Sequence, residues 1–302
     1  MTKTRKANSK QKTANRKDIS FCFFGTSQIA VGILNELERA GFLPALVVAA
    51  PDTPKGRGMK LTEPPVKVWA NERGIETLQP QELDSEFCYK LQATSYRLFV
   101  VVDYGKLLPR TVLDTPKRGA LNVHFSLLPR YRGASPIRSA ILSDDRNIGT
   151  SIILLSEKLD EGPIVAQKKF DISNWPPKAS ELDKLLTRES GRLLSQVLPE
   201  WIEGNIEARE QNHDLATYCE KIKKEDGLLD LSGDAYKNLL KIRAYEGWPG
   251  TYTFFERSGK KIRVGILDAH LGGDKLVIDK VKPEGKREMS YDEFLRSGAK
   301  PV

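Results

Sequence analysis

The chain has 302 residues, 39% hydrophobic and 29% charged, with a formal net charge of +8. That length exceeds one usual domain and can bury a large core, while no apolar stretch approaches membrane-spanning length. Three scattered cysteines (Cys22, Cys88 and Cys219) and three histidines (His124, His213 and His270) argue against a disulfide framework and a histidine-rich metal site, and point to a reducing, cytoplasmic setting with packed rather than nucleophilic thiols.

Seven basic residues and Asp18 fall within residues 1–18, so that tail carries +6 of the net charge and the remaining 284 residues only +2. A near-neutral body argues against a uniformly basic nucleic-acid face, so any RNA contact falls to local clusters or to the tail. The tail is polar and lacks aromatics, which predicts a disordered extension. Without a hydrophobic centre it is no secretory signal; its acid-poor composition keeps an organellar transit peptide as the alternative, against which lysine outnumbers arginine.

From residue 19 onward, apolar runs at 19–24, 44–50, 97–102, 119–124, 149–156 and 163–170 alternate with helical patterns. Two of these, 28–41 and 66–73, end near Gly41 and Gly74. The alternation predicts a Rossmann-like, doubly wound and mostly parallel α/β sheet with helices on both faces. Phe24-Gly25-Thr26-Ser27-Gln28 turns the first strand into a helix but lacks the glycine spacing of a dinucleotide fingerprint, which disfavours nicotinamide binding. The loop 51–61 carries Lys55, Arg57 and Lys60 on a glycine-containing segment. Such a loop either faces a polyanionic substrate or is simply a solvated charged run.

Residues 121–133 end a short apolar strand in Asn122 and His124 and break into a basic loop. Two residues apart on a strand, the amide and the imidazole share one face, and the carboxyl ends of strands in open α/β sheets are where ligands collect. Both can donate to an oxygen that turns negative when a carbonyl is attacked; the alternative is a pair that only ties down the turn. Asp160 follows the strand 149–156 in a turn before Gly162. It either orients and charges His124 or caps that turn, and spacing alone does not say which. Ser126-Leu127-Leu128-Pro129 combines a hydroxyl, two apolar side chains and a rigid turn, a composition that can wall a flat aromatic ligand. Arg130 and Arg132 either extend a basic rim or cover apolar surface with their stems.

An amphipathic segment at 179–203 closes a first domain spanning 19–204, and the polar stretch 205–213 reads as a linker. Beyond it, in 214–302, a helical segment at 234–245 precedes strand-like runs at 251–256, 261–268 and 275–280, separated by Ser258-Gly259 and Gly272-Gly273. The pattern predicts a small β-rich domain.

The run Asn122-x-His124-x-Ser126-Leu127-Leu128-Pro129, its extension Arg130-Tyr131-Arg132-Gly133-Ala134-Ser135-Pro136-Ile137 and the turn Leu159-Asp160-Glu161-Gly162 resemble the formyltransferase family that uses 10-formyltetrahydrofolate. The likeness covers nearly everything from Ile19 to Gly298, through Phe24-Gly25-Thr26, residues 51–58, Val101-Val102-Asp103-Tyr104-Gly105 and Gly247-Trp248-Pro249-Gly250. Within the family it is greatest to the branch whose acceptor is methionyl-initiator tRNA.

That resemblance implies a 10-formyltetrahydrofolate donor without a metal, an OB-like C-terminal barrel, and Asn122, His124 and Asp160 as catalytic residues. It further implies folate contacts at Ser126, Leu127, Leu128, Pro129, Tyr104 and Gly105. Acceptor-stem contacts fall on the loop of Lys55, Arg57 and Lys60, with Arg57 matching the key arginine. The expected protein is a monomer off the membrane. Ser27 stands where the family has proline and Asp103 where a small residue is typical; Asp103 either faces solvent or meets the pterin. Sugar N-formyltransferases share the trio and folate pocket but need neither basic loop nor C-terminal domain. Glycinamide ribonucleotide formyltransferases normally end with the catalytic domain. A non-catalytic RNA-binding protein on this scaffold has no need of the intact trio.

Overall fold

The computed structural model describes residues 19–55, 58–92 and 95–301. The basic tail and Arg57 lie outside the described residues. The chain forms two compact units: the residues up to Ala120 with Gly191–Glu207, and Leu121–Ser190 with Ala208 onward.

In the first unit the strands β1 (Phe21–Gly25), β2 (Leu46–Val48), β3 (Thr77–Leu78) and β4 (Leu98–Val102) lie in the order β3-β2-β1-β4, all parallel. FCFFG and LFVVV are buried along their whole length, as strands covered on both faces require. Helix α1 (Gln28–Arg39) starts at Ser27, whose hydroxyl accepts from the Ala30 N–H. Ser27 is therefore a helix cap, worth about 1 kcal/mol at such positions. Helix α2 (Pro65–Asn71) opens on proline, where a missing N–H costs nothing. Its Trp69 indole donates to Asn35 of α1 at 2.8 Å.

The turn after β1 shows why its residues are small. A Cβ on Gly25 would lie 2.6 Å from the Phe23 ring and 3.0 Å from the Val102 carbonyl. Thr26 donates to the Tyr104 carbonyl at 3.1 Å and accepts from the Ala50 N–H at 3.4 Å, so one hydroxyl ties together the ends of three strands.

The loop after β2 is more ordered than its composition suggested: Thr53–Lys55 pairs antiparallel with Lys60–Thr62 as a short hairpin. At its base, Asp52 accepts from Gln79 at 2.7 Å and twice from Lys67 at 3.0 Å. The Gln79 hydrogen bond, then that of Lys67, holds the Asp52 carboxyl below its usual value.

The second unit contains β5 (Ala120–His124), β6 (Arg132–Gly133), helix α3 (Pro136–Leu142), β7 (Ile148–Leu154) and β8 (Ile164–Phe170). Strand β7 runs antiparallel to both β5 and β8, so the predicted mostly parallel sheet gains antiparallel members here. The polar middle of β8, Gln167-Lys168-Lys169, alternates with apolar ends as an edge strand does. The long helix α4 (Ala179–Glu203) has the predicted bounds.

Further along, helix α5 (Ala235–Ala244), capped by Asp234, precedes a five-stranded antiparallel sheet. Its long strands, β9 (Thr251–Arg257), β10 (Lys260–Gly272) and β11 (Lys275–Pro283), pair consecutively. Along β9 the buried Thr251, Thr253 and Phe255 alternate with more exposed neighbours. Phe255, Val264, Ile266, Val281 and Phe294 form the core, as period-two patterning dictates. Among the described residues no helix is long and apolar enough to cross a membrane.

Candidate active site

Strand β5 sets the centre. Asn122 pairs with Ile153 and His124 with Ser151 of β7, while Leu121 and Val123 are buried on the opposite face. Asn122 is half-buried, and its carboxamide has no hydrogen-bond partner among the described residues. His124 is buried. Its Nε2 donates to the Tyr131 carbonyl at 2.8 Å, and its Nδ1 stands 3.5 Å from Asp160 Oδ2. The Tyr131 carbonyl only accepts, so Nε2 carries the hydrogen, while the Asp160 carboxyl faces the other ring nitrogen.

Asp160, which spacing alone left ambiguous, therefore faces the imidazole from 36 residues away. It also accepts from the Gly133 N–H at 2.8 Å through the same Oδ2. The Tyr131 carbonyl is shared with the Cys219 thiol at 3.5 Å. Burial foremost pushes that thiol's pKa up, which suits a packing residue rather than a thiolate nucleophile. Cys22 is pushed up by burial in the same way.

The segment 126–129 turns half inward. Ser126 is buried and donates to the Arg130 carbonyl at 2.6 Å, and Leu128 packs with Ile153 and Ile164. The expectation that these two side chains wall a ligand is corrected: they hold the turn. Leu127 and Pro129 remain half-exposed, and with the backbone they form the surface available here.

Two residues the sequence reading passed over pin this turn. The buried Ser151 hydroxyl donates to the Ser126 carbonyl at 2.7 Å and accepts from the Leu128 N–H at 3.0 Å. Gln167 reaches both Ser151 and the Leu128 carbonyl. The available signal was positional, since Ser151 lies opposite His124 in the antiparallel register.

The two arginines of the basic loop part company. Arg130 stays exposed, pairs with Asp145 at 2.9 Å and lies 5.4 Å from the Tyr131 ring centroid. Arg132 is 1% exposed, so its expected place on a solvent-facing basic rim is corrected. A buried guanidinium must spend its donors internally, and this one meets Gln211, His213, Tyr218 and Glu161.

In the first unit, the Tyr104 ring is buried edge-on against Phe24 at 5.4 Å. Its hydroxyl has no partner among the described residues, and burial raises its pKa to about 12. The ring is thus core, and a ligand would meet the backbone of this segment instead. Gly105 takes φ +84° with open space where a side chain would stand, and the exposed Asp103 takes φ +46°. Lys60 is exposed on its hairpin strand.

A family model described as formyl transferase matches residues 17–198. The methionyl-tRNA formyltransferase of Chloroflexus aurantiacus is 38% identical over 297 residues, covering 90% of this chain and 95% of that protein. The structure of methionyl-tRNA formyltransferase from Clostridium thermocellum matches 88% of this chain and 98% of its own, with a TM-score of 0.57 at 17% identity. An N-formyltransferase from Helicobacter canadensis, solved with folinic acid and dTDP-3-aminofucose, covers 86% of this chain and 98% of its own, with a TM-score of 0.60 at 19% identity.

Proposed function

The chain belongs to the formyl transferase family, and from that premise we propose that it transfers the formyl group of 10-formyltetrahydrofolate to the α-amino group of methionyl-initiator tRNA. Likeness to a methionyl-tRNA formyltransferase over 90% of this chain supports that acceptor, because it extends through the C-terminal residues as well as the family segment. The geometric observation that carries the chemistry is the Asp160 carboxylate standing 3.5 Å from the His124 ring.

The free amine attacks the formyl carbon, a carbon–nitrogen bond forms, and the carbonyl oxygen becomes an oxyanion. Collapse breaks the bond from that carbon to N10, and the proton lost by the amine ends on N10. Asn122 is the ready donor to the oxyanion, since its carboxamide has no other partner among the described residues. His124 is pinned between the Tyr131 carbonyl and Asp160. It donates to the oxyanion only by exchanging Tyr131 for it, so the two donors are not equivalent. Asp160 fixes the ring while protons move. No covalent enzyme intermediate is needed.

Residues 19–204 form the catalytic domain in this reading, 205–213 the linker, and 214–302 an OB-like domain closed from the antiparallel sheet. Folate contacts are assigned to Leu127 and Pro129 in the second unit and to the backbone at Tyr104 and Gly105 in the first, each unit by itself. The tRNA meets Lys55, Arg57, Lys60 and Arg130, and the enzyme works as a cytoplasmic monomer. The test is formylation by purified protein of methionyl-tRNA, uncharged tRNA and an aminosugar nucleotide with 10-formyltetrahydrofolate. Formyl transfer to methionyl-tRNA alone is expected. Transfer to the aminosugar alone would replace this reading with sugar N-formylation, and RNA binding without folate binding would replace it with a non-catalytic role.

A further inference from the structure

Asp160 occupies the left-handed region, with φ +53°. A non-glycine residue there is strained and persists only where its surroundings over-determine it. One constraint is Gly162: a Cβ at that position would lie 1.8 Å from the Leu154 carbonyl, so the turn is pressed onto the end of β7.

The second constraint comes from 51 residues downstream. Gln211 is buried, and its Nε2 donates to the carbonyls of both Asp160 and Gly162, at 2.7 Å each. An amide nitrogen has two hydrogens, and both are used. On the other side, Gln211 Oε1 accepts from Arg132 Nη2 at 2.8 Å and Nε at 3.2 Å. A guanidinium only donates, so it dictates which end of the amide faces the turn.

Arg132 is held in turn by the Tyr218 hydroxyl at 3.2 Å, His213 Nδ1 at 2.9 Å and the Glu161 carboxylate at 3.4 Å. Two residues before Gln211, Arg209 exchanges backbone hydrogen bonds with Ile164 at 2.7 and 2.8 Å. The circuit closes at Gly133, next to Arg132, whose N–H donates to the Asp160 carboxylate. Backbone and side chain of Asp160 are thus tied to one buried guanidinium and its neighbour.

We propose that Gln211, oriented by Arg132, is a positioning residue that sets the Asp160 carboxylate against His124. The inference rests on the reading of Asn122, His124 and Asp160 as the catalytic groups. It assigns the segment after the long helix a part in catalysis that no contact with substrate is needed to explain.

The test is a double-mutant cycle on the full-length enzyme with methionyl-tRNA and 10-formyltetrahydrofolate. Gln211→Glu keeps the shape and the acceptor for Arg132 but turns an oxygen toward two carbonyls; Gln211→Met keeps the length and removes both functions. Either folded variant is expected to lose about tenfold or more in kcat, because small displacements of a catalytic group are costly, with KM for both substrates changed by less than about twofold. In an Asp160→Asn background the same substitution is expected to add no further loss, since coupled residues are non-additive. Losses that multiply, or an unchanged kcat in both variants, overturn the proposal while leaving the catalytic trio intact. An Asp160→Asn enzyme at wild-type rate overturns the reading of the trio itself.

Discussion

The turn around Asp160 and the hairpin at 53–62 treat their polar groups in opposite ways. In the turn at 126–129 and around Asp160, buried groups are bonded several times over: one Ser151 hydroxyl serves Ser126, Leu128 and Gln167, and one amide serves two carbonyls. The hairpin is exposed along Lys60–Thr62, with Met59 at 69% and Leu61 at 64%, and its anchor is Asp52 at the base. The difference fits the two roles proposed for these regions. Bond-making needs donors fixed to fractions of an ångström, whereas gripping a large polyanion needs reach and charge.

The predictions probe that contrast from its strongest side. Asn122→Ala and His124→Ala should each lower kcat by ~10²-fold or more without unfolding, as loss of an oxyanion donor does. The Asn122 carboxamide has no partner among the described residues, whereas His124 must leave Tyr131 to donate; steady-state kinetics read both losses. In the basic segment after β2, Arg57→Ala should raise KM for methionyl-tRNA by about tenfold at low salt, with a shallower salt dependence than the wild-type enzyme and folate binding retained. Equal damage to both substrates would mean that Arg57 does not select the acceptor.

Smaller effects concern stability. Ser151→Ala leaves the buried Leu128 N–H without its acceptor and should cost about 1–3 kcal/mol in denaturant unfolding. An equivalent change on the exposed hairpin should cost within about 0.5 kcal/mol.

Asp145 supplies the acid test. Burial by itself raises its pKa, but hydrogen bonds from Asn147, then Tyr131 and the charge of Arg130, bring it below the usual value. A lowered folded-state pKa contributes stability that is complete above the unfolded value of about 4 and is lost as pH falls through the folded one. Unfolding curves taken from neutral to acid pH should therefore show a smaller acid loss in Asp145→Asn than in the wild-type protein.

Much of this contrast lay open in the chain itself. Strands such as FCFFG and LFVVV are apolar throughout because both faces are covered, and the two-residue period puts Asn122 beside His124 on one face. What stayed hidden depends on distant partners. The pairing of Arg132–Gly133 with Tyr218–Cys219 involves two residues from each strand, too few for any periodic signal.

Burial of Arg132 could not be read from a basic run that looked solvated, because a guanidinium is buried only where acceptors such as Gln211 and Glu161 converge on it. The 3.5 Å approach of Asp160 to His124 likewise depends on a tightly turned loop whose geometry comes from Gly162 and Gln211.

The most direct measurement is single-turnover formylation of methionyl-tRNA by wild-type enzyme and Asn122→Ala, both at saturating 10-formyltetrahydrofolate. The wild-type protein should give formylmethionyl-tRNA, and the variant should bind both substrates yet form product about 10²-fold more slowly. Equal single-turnover rates would contradict the assignment of the oxyanion to the end of strand β5.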